Sequence, residues 1–209
     1  MKYVIIPFLC AAFSVHCAEQ SSIVIRPAQL GDIEQLNALS TKQYQNDLKP
    51  LFTALFPHLN NIEQLVVDKT KLNNETNEKI IKNQDQNSPS RLLVAEINDP
   101  KSLQAKIAGF CRFEQKDAQT IYMNFVLVDE NLRKQGIARQ LSIAAMNTFP
   151  SAATCRFRAL FNNEKVNAMY IQHGCKQVGT VSLDLKTGAV NTDPDAPITH
   201  YDYEYIIQR

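Results

Sequence analysis

The sequence predicts one domain of the mixed α/β (α+β) class, with helices flanking a central, mostly antiparallel sheet of six to seven strands. First, the 209 residues are 44% hydrophobic and 21% charged, which suits one well-formed core. Second, three apolar alternating segments between Arg91 and Val128 are separated only by short turns, the pattern of an antiparallel meander. Third, strand and helix patterns alternate after the meander up to the C-terminus.

The first residues differ from the rest of the chain. Lys2 precedes an apolar run from Tyr3 to Val15, and a cut is expected before Ala18. This pattern is typical of a secretory signal peptide, and the run is shorter than the roughly 20 residues of a membrane span. We therefore expect a signal peptide or an N-terminal extension at residues 1–17, with a single domain at 23–209. A buried or disordered extension and a misplaced start codon are the alternatives.

The domain is expected to begin with a short strand, Ile23 to Arg26, that ends at Pro27. A helix follows, with Asp32 as its N-cap and Gln35 completing a capping box. Its apolar residues recur at helical spacing: Ile33, Leu36 and Leu39.

Residues 41–90 give a weaker pattern. Pro50 and Pro57 interrupt it, so one or two short helices are expected. The Asn-rich stretch after Lys71 indicates a loop or a fraying helix.

Three strands are predicted next, at 91–97, 106–115 and 120–128. In the last one, the alternation places four apolar residues on one face: Ile121, Met123, Phe125 and Leu127.

The remaining elements are a helix from about Gln135 to Thr148, a strand at 153–161, a helix at 163–173, and strands at 176–185 and 200–208. The first helix has a buried stripe of Ile137, Leu141 and Ala144 or Ala145. Gly174 stands where a left-handed C-terminal cap is expected.

Composition excludes several functions. The net charge of +1 gives no global positive field for nucleic acid, so no nucleic-acid partner is expected. Beyond the leader, Cys111, Cys155 and Cys175 form no CxxC pair, so no metal site is predicted. Three buried thiols are expected, with a free thiol beside one disulfide as the alternative.

The stretch LRKQGIAR, residues 132–139, joins a predicted strand to a predicted helix. The first turn of a helix has free N–H groups and the positive end of the dipole, so it attracts phosphate. Gly136 lets a ligand approach the backbone, and Arg133 and Lys134 add positive charge. The chain has neither GxxxxGK[ST] nor GxGxxG, which argues against the commoner phosphate loops. An ordinary solvated helix start is the alternative.

In context, this stretch resembles the GCN5-related N-acetyltransferase (GNAT) family. The family shows V-x-P-x-x-[RQ]-x-x-G-x-[GA] from its fourth strand into a helix, and residues Val128 to Ala138 match it except that Glu130 replaces the proline. An I-R-x-A strand and an aspartate near the family's start correspond to residues 25–28 and Asp32. A later family pattern, N-x-x-A-x-x-L-Y-x-x-x-G-F, aligns with Asn163, Met169, Tyr170 and Gly174, with Val166 and Cys175 as departures. The resemblance covers nearly everything from Ile23 to Arg209.

The resemblance implies an N-acetyltransferase that binds acetyl-CoA, without metal, in a cleft where strands four and five splay apart. By carry-over, the pyrophosphate lies on the backbone of Arg133, Lys134, Gln135, Gly136, Ile137 and Ala138, with Arg139 at its edge. The main chain of Val126 and Val128 holds the pantetheine arm and polarises the thioester. Asn163 binds the same arm, and Tyr170 gives a proton to the leaving thiolate. A direct attack in a ternary complex is implied.

Structural roles stay open for three of these residues. Tyr170 could be a core residue, Asn163 only an N-cap, and Arg133 a solvated charge. The general base is also open, because family members often use a carboxylate on strand four, where this chain has Tyr122 and Asn124. Three candidates remain: Glu114, His173 and His200.

The acceptor is expected to be an amine of a small molecule or a protein, chosen by residues 41–90 and 186–199. A catalytically silent module that binds a CoA compound or a protein partner is the alternative. A periplasmic binding or adhesion protein of another fold is a third interpretation, resting on the leader alone. The leader indicates export, whereas a dependence on acetyl-CoA indicates the cytoplasm of this cell or of a recipient cell. The sequence therefore leaves the localisation open. The oligomeric state cannot be predicted from the sequence either.

Overall fold

The computed structural model describes residues 22–85, 87–97, 105–184, 190–193 and 196–208. Seven strands form one sheet: β1 (Ile23–Pro27), β2 (Ser90–Ile97), β3 (Lys106–Gln115), β4 (Thr120–Val128), β5 (Thr154–Leu160), β6 (Lys176–Val181) and β7 (His200–Ile206). Five α-helices accompany it: α1 (Ile33–Gln43), α2 (Lys49–Leu55), α3 (Ile62–Asn83), α4 (Ile137–Thr148) and α5 (Glu164–Gln172). A π-helical turn, Tyr44–Leu48, joins α1 to α2.

The strand order is β1-β2-β3-β4-β5-β7-β6, and every neighbouring pair is antiparallel except β4 and β5, which are parallel. The predicted mixed, mostly antiparallel sheet and its meander are confirmed. A parallel pair needs a crossover, and α4 supplies it. One large apolar core lies between the sheet and α4 with α5, and two smaller cores lie on the other face beneath α1, α2 and α3.

The predicted single apolar face of β4 is wrong, because the strand has a bulge at Asn124. Arg112 of β3 pairs with Phe125, whereas the next residue of β3 pairs with Met123, so Asn124 has no partner. An inserted residue reverses the alternation. Ile121 and Met123 therefore join the core beneath α4, while Phe125 and Leu127 pack on the α1–α3 side.

The predicted capping box at the start of α1 is also wrong. The Asp32 carboxylate accepts no hydrogen bond from the first turn of α1; it binds the Arg26 guanidinium at 2.8 and 2.9 Å and the backbone N–H of Gln29 at 2.8 Å. Gln35 instead bonds β3, accepting from the Ile107 N–H at 2.9 Å. Both side chains fix the start of α1 to the sheet, Asp32 through Arg26 of β1 and Gln35 through Ile107 of β3.

The Asn-rich stretch after Lys71 is not a loop, because it forms the second half of the 22-residue helix α3. Asn73 and Asn77 face the protein, and each amide oxygen accepts a hydrogen bond from Arg112 at 3.0 Å. The buried side of this helix thus contains two amides at positions where an amphipathic helix normally has apolar residues, which is why the helical pattern was weak.

The predicted end of α5 is confirmed as a Schellman motif. Gly174 has φ +80°, the Cys175 N–H donates to the Tyr170 carbonyl, and the Gly174 N–H donates to that of Ile171. Because the motif fixes the last turn, it also fixes the position of Tyr170.

The described cysteines are free: Cys111 and Cys155 are buried and Cys175 is half-buried. No helix among the residues described is long and apolar enough to cross a membrane. The predicted leader, residues 1–17, lies outside the described ranges, as do residues 186–189, 194 and 195 of the loop expected to choose the acceptor.

Candidate active site

The sheet opens between β4 and β5. The two strands pair over only four residues each, from Thr120 and Thr154 to Met123 and Phe157. Beyond that point β4 continues to Val128 and β5 to Leu160 without pairing to each other. Since β4 stays paired to β3 up to Val128, its β5-facing backbone groups are left without a strand partner. This V-shaped cleft, the predicted splay, contains Val126 and Val128.

Gly109 of β3 sets the position of the β4 end. A Cβ at this residue would lie 2.4 Å from the Leu127 carbonyl oxygen and 3.1 Å from the Val128 Cα. Only glycine permits this close approach of the two backbones. This residue was not among the predicted site residues, although an isolated glycine in a strand is a known signal of close backbone approach.

A turn with two left-handed residues joins β4 to α4. Lys134 has φ +65° and Gly136, the N-cap of α4, has φ +76°. The Ile137 side chain is buried in the core, so only its backbone faces the turn. The first N–H groups of α4 have no acceptor within the helix, and Lys134 and Arg139 are exposed without an ion pair to any described carboxylate. This is an anion-binding arrangement.

Arg133 points elsewhere. Its guanidinium pairs with Asp47 of the π turn at 2.5 Å, and its Nε donates to the Val128 carbonyl at 3.3 Å. Glu130, which stands where the motif has proline, pairs with Lys42 of α1 at 2.7 Å. These two ion pairs connect the turn between β4 and α4 to the helices on the other side of the sheet.

Tyr170 of α5 lies beside the point where β4 and β5 separate. Its ring is 4.3 Å from that of Phe157 and 5.3 Å from that of Tyr203, measured between centroids. Burial raises the pKa of the Tyr170 hydroxyl above its ordinary value, so the phenol keeps its proton at neutral pH. The Tyr203 hydroxyl, in contrast, donates to Asn167 at 3.0 Å.

Asn163 is the N-cap of α5, as the structural alternative predicted. Its Oδ1 accepts from the Val166 N–H at 3.4 Å. Its Nδ2 donates to no acceptor within the described ranges, so capping leaves this amide available for a ligand.

The opposite face of the sheet is charged. On β4, β5 and β7 the residues between the core positions point away from Tyr170, and Tyr122, Arg158 and Asp202 line a cavity of about 460 Å³ beside the paired stretch of β4 and β5. We call this surface the open face. Arg158 pairs with Asp202 at 2.6 Å and lies 5.6 Å from the Tyr122 ring. Neither Arg158 nor Asp202 was among the predicted site residues, although both alternate with core residues.

Of the three candidate bases, His200 is on the open face at the start of β7. Burial lowers its pKa to about 4, helped by the charges of Arg158 and Lys69 and opposed by Asp202. Its Nδ1 is 2.8 Å from the Thr199 hydroxyl, which in turn lies 3.2 Å from the Val181 carbonyl.

The other two candidates are differently placed. Glu114 pairs with Lys116 at 2.6 Å and accepts from Asn124 at 3.3 Å. His173 is exposed at the C-terminal cap of α5, with its Nδ1 2.7 Å from the Met169 carbonyl. The described residues contain no group of His, Cys, Asp and Glu suited to a metal ion.

Comparisons agree with this geometry. Residues 88–177 match the model of the acetyltransferase (GNAT) domain. Functionally curated proteins give no match. The fold is similar to the PaiA N-acetyltransferase of Thermoplasma acidophilum in complex with coenzyme A, at 16% identity and TM-score 0.62, covering 89% of this chain and 99% of that one.

Two further structures are similar. The spermidine N-acetyltransferase of Vibrio cholerae, in complex with CoA and spermine, has 14% identity and TM-score 0.54 over 88% of this chain and 95% of that one. NAA60 of Arabidopsis thaliana, with a bisubstrate analogue, has 15% identity and TM-score 0.52 over 90% and 100%. The GNAT resemblance of the sequence is thus confirmed: residues 88–177 match the family's acetyltransferase domain, and the chain has the GNAT fold.

Proposed function

We propose that this protein is an acyl-CoA-dependent N-acyltransferase that transfers acetyl from acetyl-CoA to an amine. One observation carries the proposal: a cleft between β4 and β5 ends at a turn whose left-handed Gly136 exposes the first N–H groups of α4. The cleft offers backbone groups without a strand partner to an extended amide-containing arm, and the turn offers donors to a pyrophosphate. The chain's match to the GNAT domain supports the same ligand.

The residues divide the binding task. The backbone from Arg133 to Ala138 holds the pyrophosphate, and Arg139 adds charge at its edge. Because Arg133 is paired with Asp47, its side chain supports the turn rather than the phosphate. Val126 and Val128 offer main-chain groups to the pantetheine arm, and Asn163 adds its free Nδ2. When bound, acetyl-CoA supplies the activated acyl group.

The reaction needs two proton transfers, and we assign one to each side of the cleft. Tyr170, protonated and beside the point of separation, donates its phenolic proton to the departing thiolate. On the open face, the acceptor reacts as its free amine, and His200 takes the proton that the nitrogen loses as it attacks the thioester. When the Thr199 hydroxyl donates to the Val181 carbonyl, Nδ1 of His200 is the donor to Thr199, and Nε2 keeps its lone pair. Burial keeps the ring neutral.

A silent module that binds CoA without turnover is the second candidate. It is favoured by one observation: β4 presents Tyr122 and Asn124 where a carboxylate base is common, and the nearby Glu114 is already paired with Lys116.

Two measurements separate these functions. Calorimetric titration with acetyl-CoA is expected to show binding, and a thiol assay with a panel of amines is expected to show release of free CoA. Binding without release for every amine supports the silent module. Absence of binding contradicts both.

A further inference from the structure

The segment that follows α1 lies across the separated part of β4 and β5. It consists of the π turn and α2, residues 44–55, and we call it the bridging segment. On the β4 side, the Tyr44 ring stacks on that of Phe125, with 6.3 Å between the centroids. On the β5 side, Phe52 belongs to the same apolar cluster as Leu160. Phe125 and Leu160 both lie beyond the stretch over which β4 pairs with β5, so the segment joins the two strands where they have separated.

The bridging segment also stands beside the proposed base. Leu160 of β5 pairs with His200 of β7. Two residues after Leu160, the Asn162 side-chain amide donates to the Leu51 carbonyl at 3.0 Å. An amine held between His200 and the cleft therefore lies next to this segment, and the position of the segment sets the width of the acceptor's path.

One side chain connects the bridging segment to the cofactor side of the site. The Arg133 guanidinium contacts both carboxylate oxygens of Asp47, with Nη2 at 2.5 Å and Nη1 at 3.4 Å. Its Nε donates to the Val128 carbonyl at 3.3 Å. The backbone of Arg133 belongs to the turn between β4 and α4. A planar guanidinium can hold two such partners in a fixed geometry, which a lysine ammonium cannot.

The Val128 carbonyl belongs to the cleft. The next residue, Asp129, donates its N–H to the Ala108 carbonyl of β3 at 2.8 Å. Because successive residues of an antiparallel strand turn their backbone groups to opposite sides, both backbone groups of Val128 face the cleft. Arg133 takes the carbonyl and leaves the Val128 N–H for the pantetheine arm. A single guanidinium thus touches both the cofactor cleft and the bridging segment.

We infer that Arg133 is a positioning residue that couples the binding of the two substrates. When CoA orders the turn, Arg133 holds Asp47, and with it the bridging segment, against the cleft. Lys134 and Arg139 are exposed and without an ion pair to a described carboxylate, so they meet the pyrophosphate while Arg133 keeps Asp47. Ligands that stabilise the same docked state raise each other's affinity, so CoA prepares the path of the amine. This inference rests on the proposed function and adds an order of binding to it.

Hydrogen–deuterium exchange of the full chain tests the coupling without an acceptor, with CoA as the probe. Saturating CoA is expected to slow exchange in the turn and the start of α4. It is also expected to slow exchange in the bridging segment about threefold, within the range that one exposed ion pair gives. Asp47→Asn should lose the second effect, because the carboxylate is gone, and keep the first, because the backbone of the turn is unchanged.

Further variants locate the effect on this ion pair. Asp47→Glu keeps a carboxylate and should keep the protection of the bridging segment. Glu34→Gln, at an exposed carboxylate of α1, is the matched control and should behave as wild type. Arg133→Met should act as Asp47→Asn does, and the double variant should lose no more than either, because both changes remove the same interaction.

Kinetics give a second readout that a purely structural role would not produce. For an amine that the thiol assay shows to be acetylated, Asp47→Asn should raise the KM of the amine about threefold at unchanged kcat. CoA affinity by calorimetry should change by no more than about threefold, because the coupling is reciprocal.

Protection of the turn without protection of the bridging segment in wild type overturns the inference, as does equal protection of the segment in wild type and Asp47→Asn. Faster exchange of the segment on CoA binding also overturns it, since Arg133 would then have left Asp47 for the pyrophosphate. If Asp47→Asn does not fold, Arg133→Met decides by the same comparison. Each of these results leaves the proposed function standing, whereas failure of wild type to bind CoA is the failure of the proposed function itself.

Discussion

Gly136→Asp should separate cofactor binding from folding. Nothing lies within 4 Å of a Cβ at Gly136 or at Gly174, and both residues have positive φ, +76° and +80°. Gly174→Asp is therefore a matched control for the backbone effect. A left-handed residue other than glycine costs about 1–2 kcal/mol, with aspartate among the better tolerated. Each variant should consequently lose about 1 kcal/mol and keep the fold.

Helix polarity then distinguishes the two variants. Gly136 begins α4 and Gly174 follows the end of α5. A carboxylate is stabilised by about 0.3–1 kcal/mol at a helix N-terminus and destabilised similarly at a C-terminus. Gly136→Asp should thus be the more stable variant in urea unfolding.

Binding should show the opposite order. A carboxylate about 5 Å from two pyrophosphate charges gives a repulsion of roughly 2–7 kcal/mol for an effective dielectric constant between about 80 and 20. We expect Gly136→Asp to lose at least about 30-fold in CoA affinity by calorimetry, since roughly 1.4 kcal/mol is tenfold. Gly174→Asp should bind as wild type. Affinities of the two variants within threefold of each other would refute the role of this turn.

Three other changes test other parts of the site. Gly109→Ala puts a Cβ 2.4 Å from the Leu127 carbonyl; it should cost about 1–3 kcal/mol in unfolding free energy and weaken CoA binding, while Gly31→Ala, with nothing within 4 Å, should do neither. Tyr170→Phe should lower kcat about 100-fold at unchanged CoA affinity, as loss of a general acid does; an unchanged kcat assigns Tyr170 to the core. His200 has its pKa lowered from 6.5 to about 4, so the folded state favours the neutral ring, and its contribution to stability is complete above pH 6.5 and is lost as the pH falls towards 4. Unfolding free energies of wild type should therefore fall by up to roughly 3 kcal/mol more than those of His200→Asn over that interval, and parallel pH curves would contradict this.

Local signals were sufficient for much of the fold. Period-two alternation with short turns predicts the meander, and Gly174 predicts the end of α5, because each depends on neighbouring residues. The position of the turn from β4 into α4 was predictable for the same reason, since a glycine between a strand and a helix is a local feature.

Two of the errors share one cause, which is that contacts with other secondary-structure elements override local preference. Asp32 has the sequence context of a capping box, but Arg26 of the adjacent strand binds it instead. Asn73 and Asn77 give the sequence of α3 a polar pattern that favours a loop. Their amides are buried only because they bind Arg112, which lies 35 or more residues away in the sequence.

The open face was the least predictable part of the site. It combines Arg158 of β5 with His200 and Asp202 of β7, residues that have no common spacing in the sequence. These residues can be recognised as neighbours only once the sheet is known. Tyr170 and Gly136, in contrast, lie in short motifs that can be recognised in the sequence itself.

The bulge at Asn124 divides β4 into two halves in which the alternation of side chains between the two faces of the sheet is reversed. Deleting this single residue would leave the strand nearly as long, yet it would exchange the surroundings of every side chain on one side of the deletion. Val126 and Val128 would turn towards α1 while Phe125 and Leu127 turned towards α4. Relatives that preserve this active site should therefore vary in the length of their loops and keep the residue count of this strand.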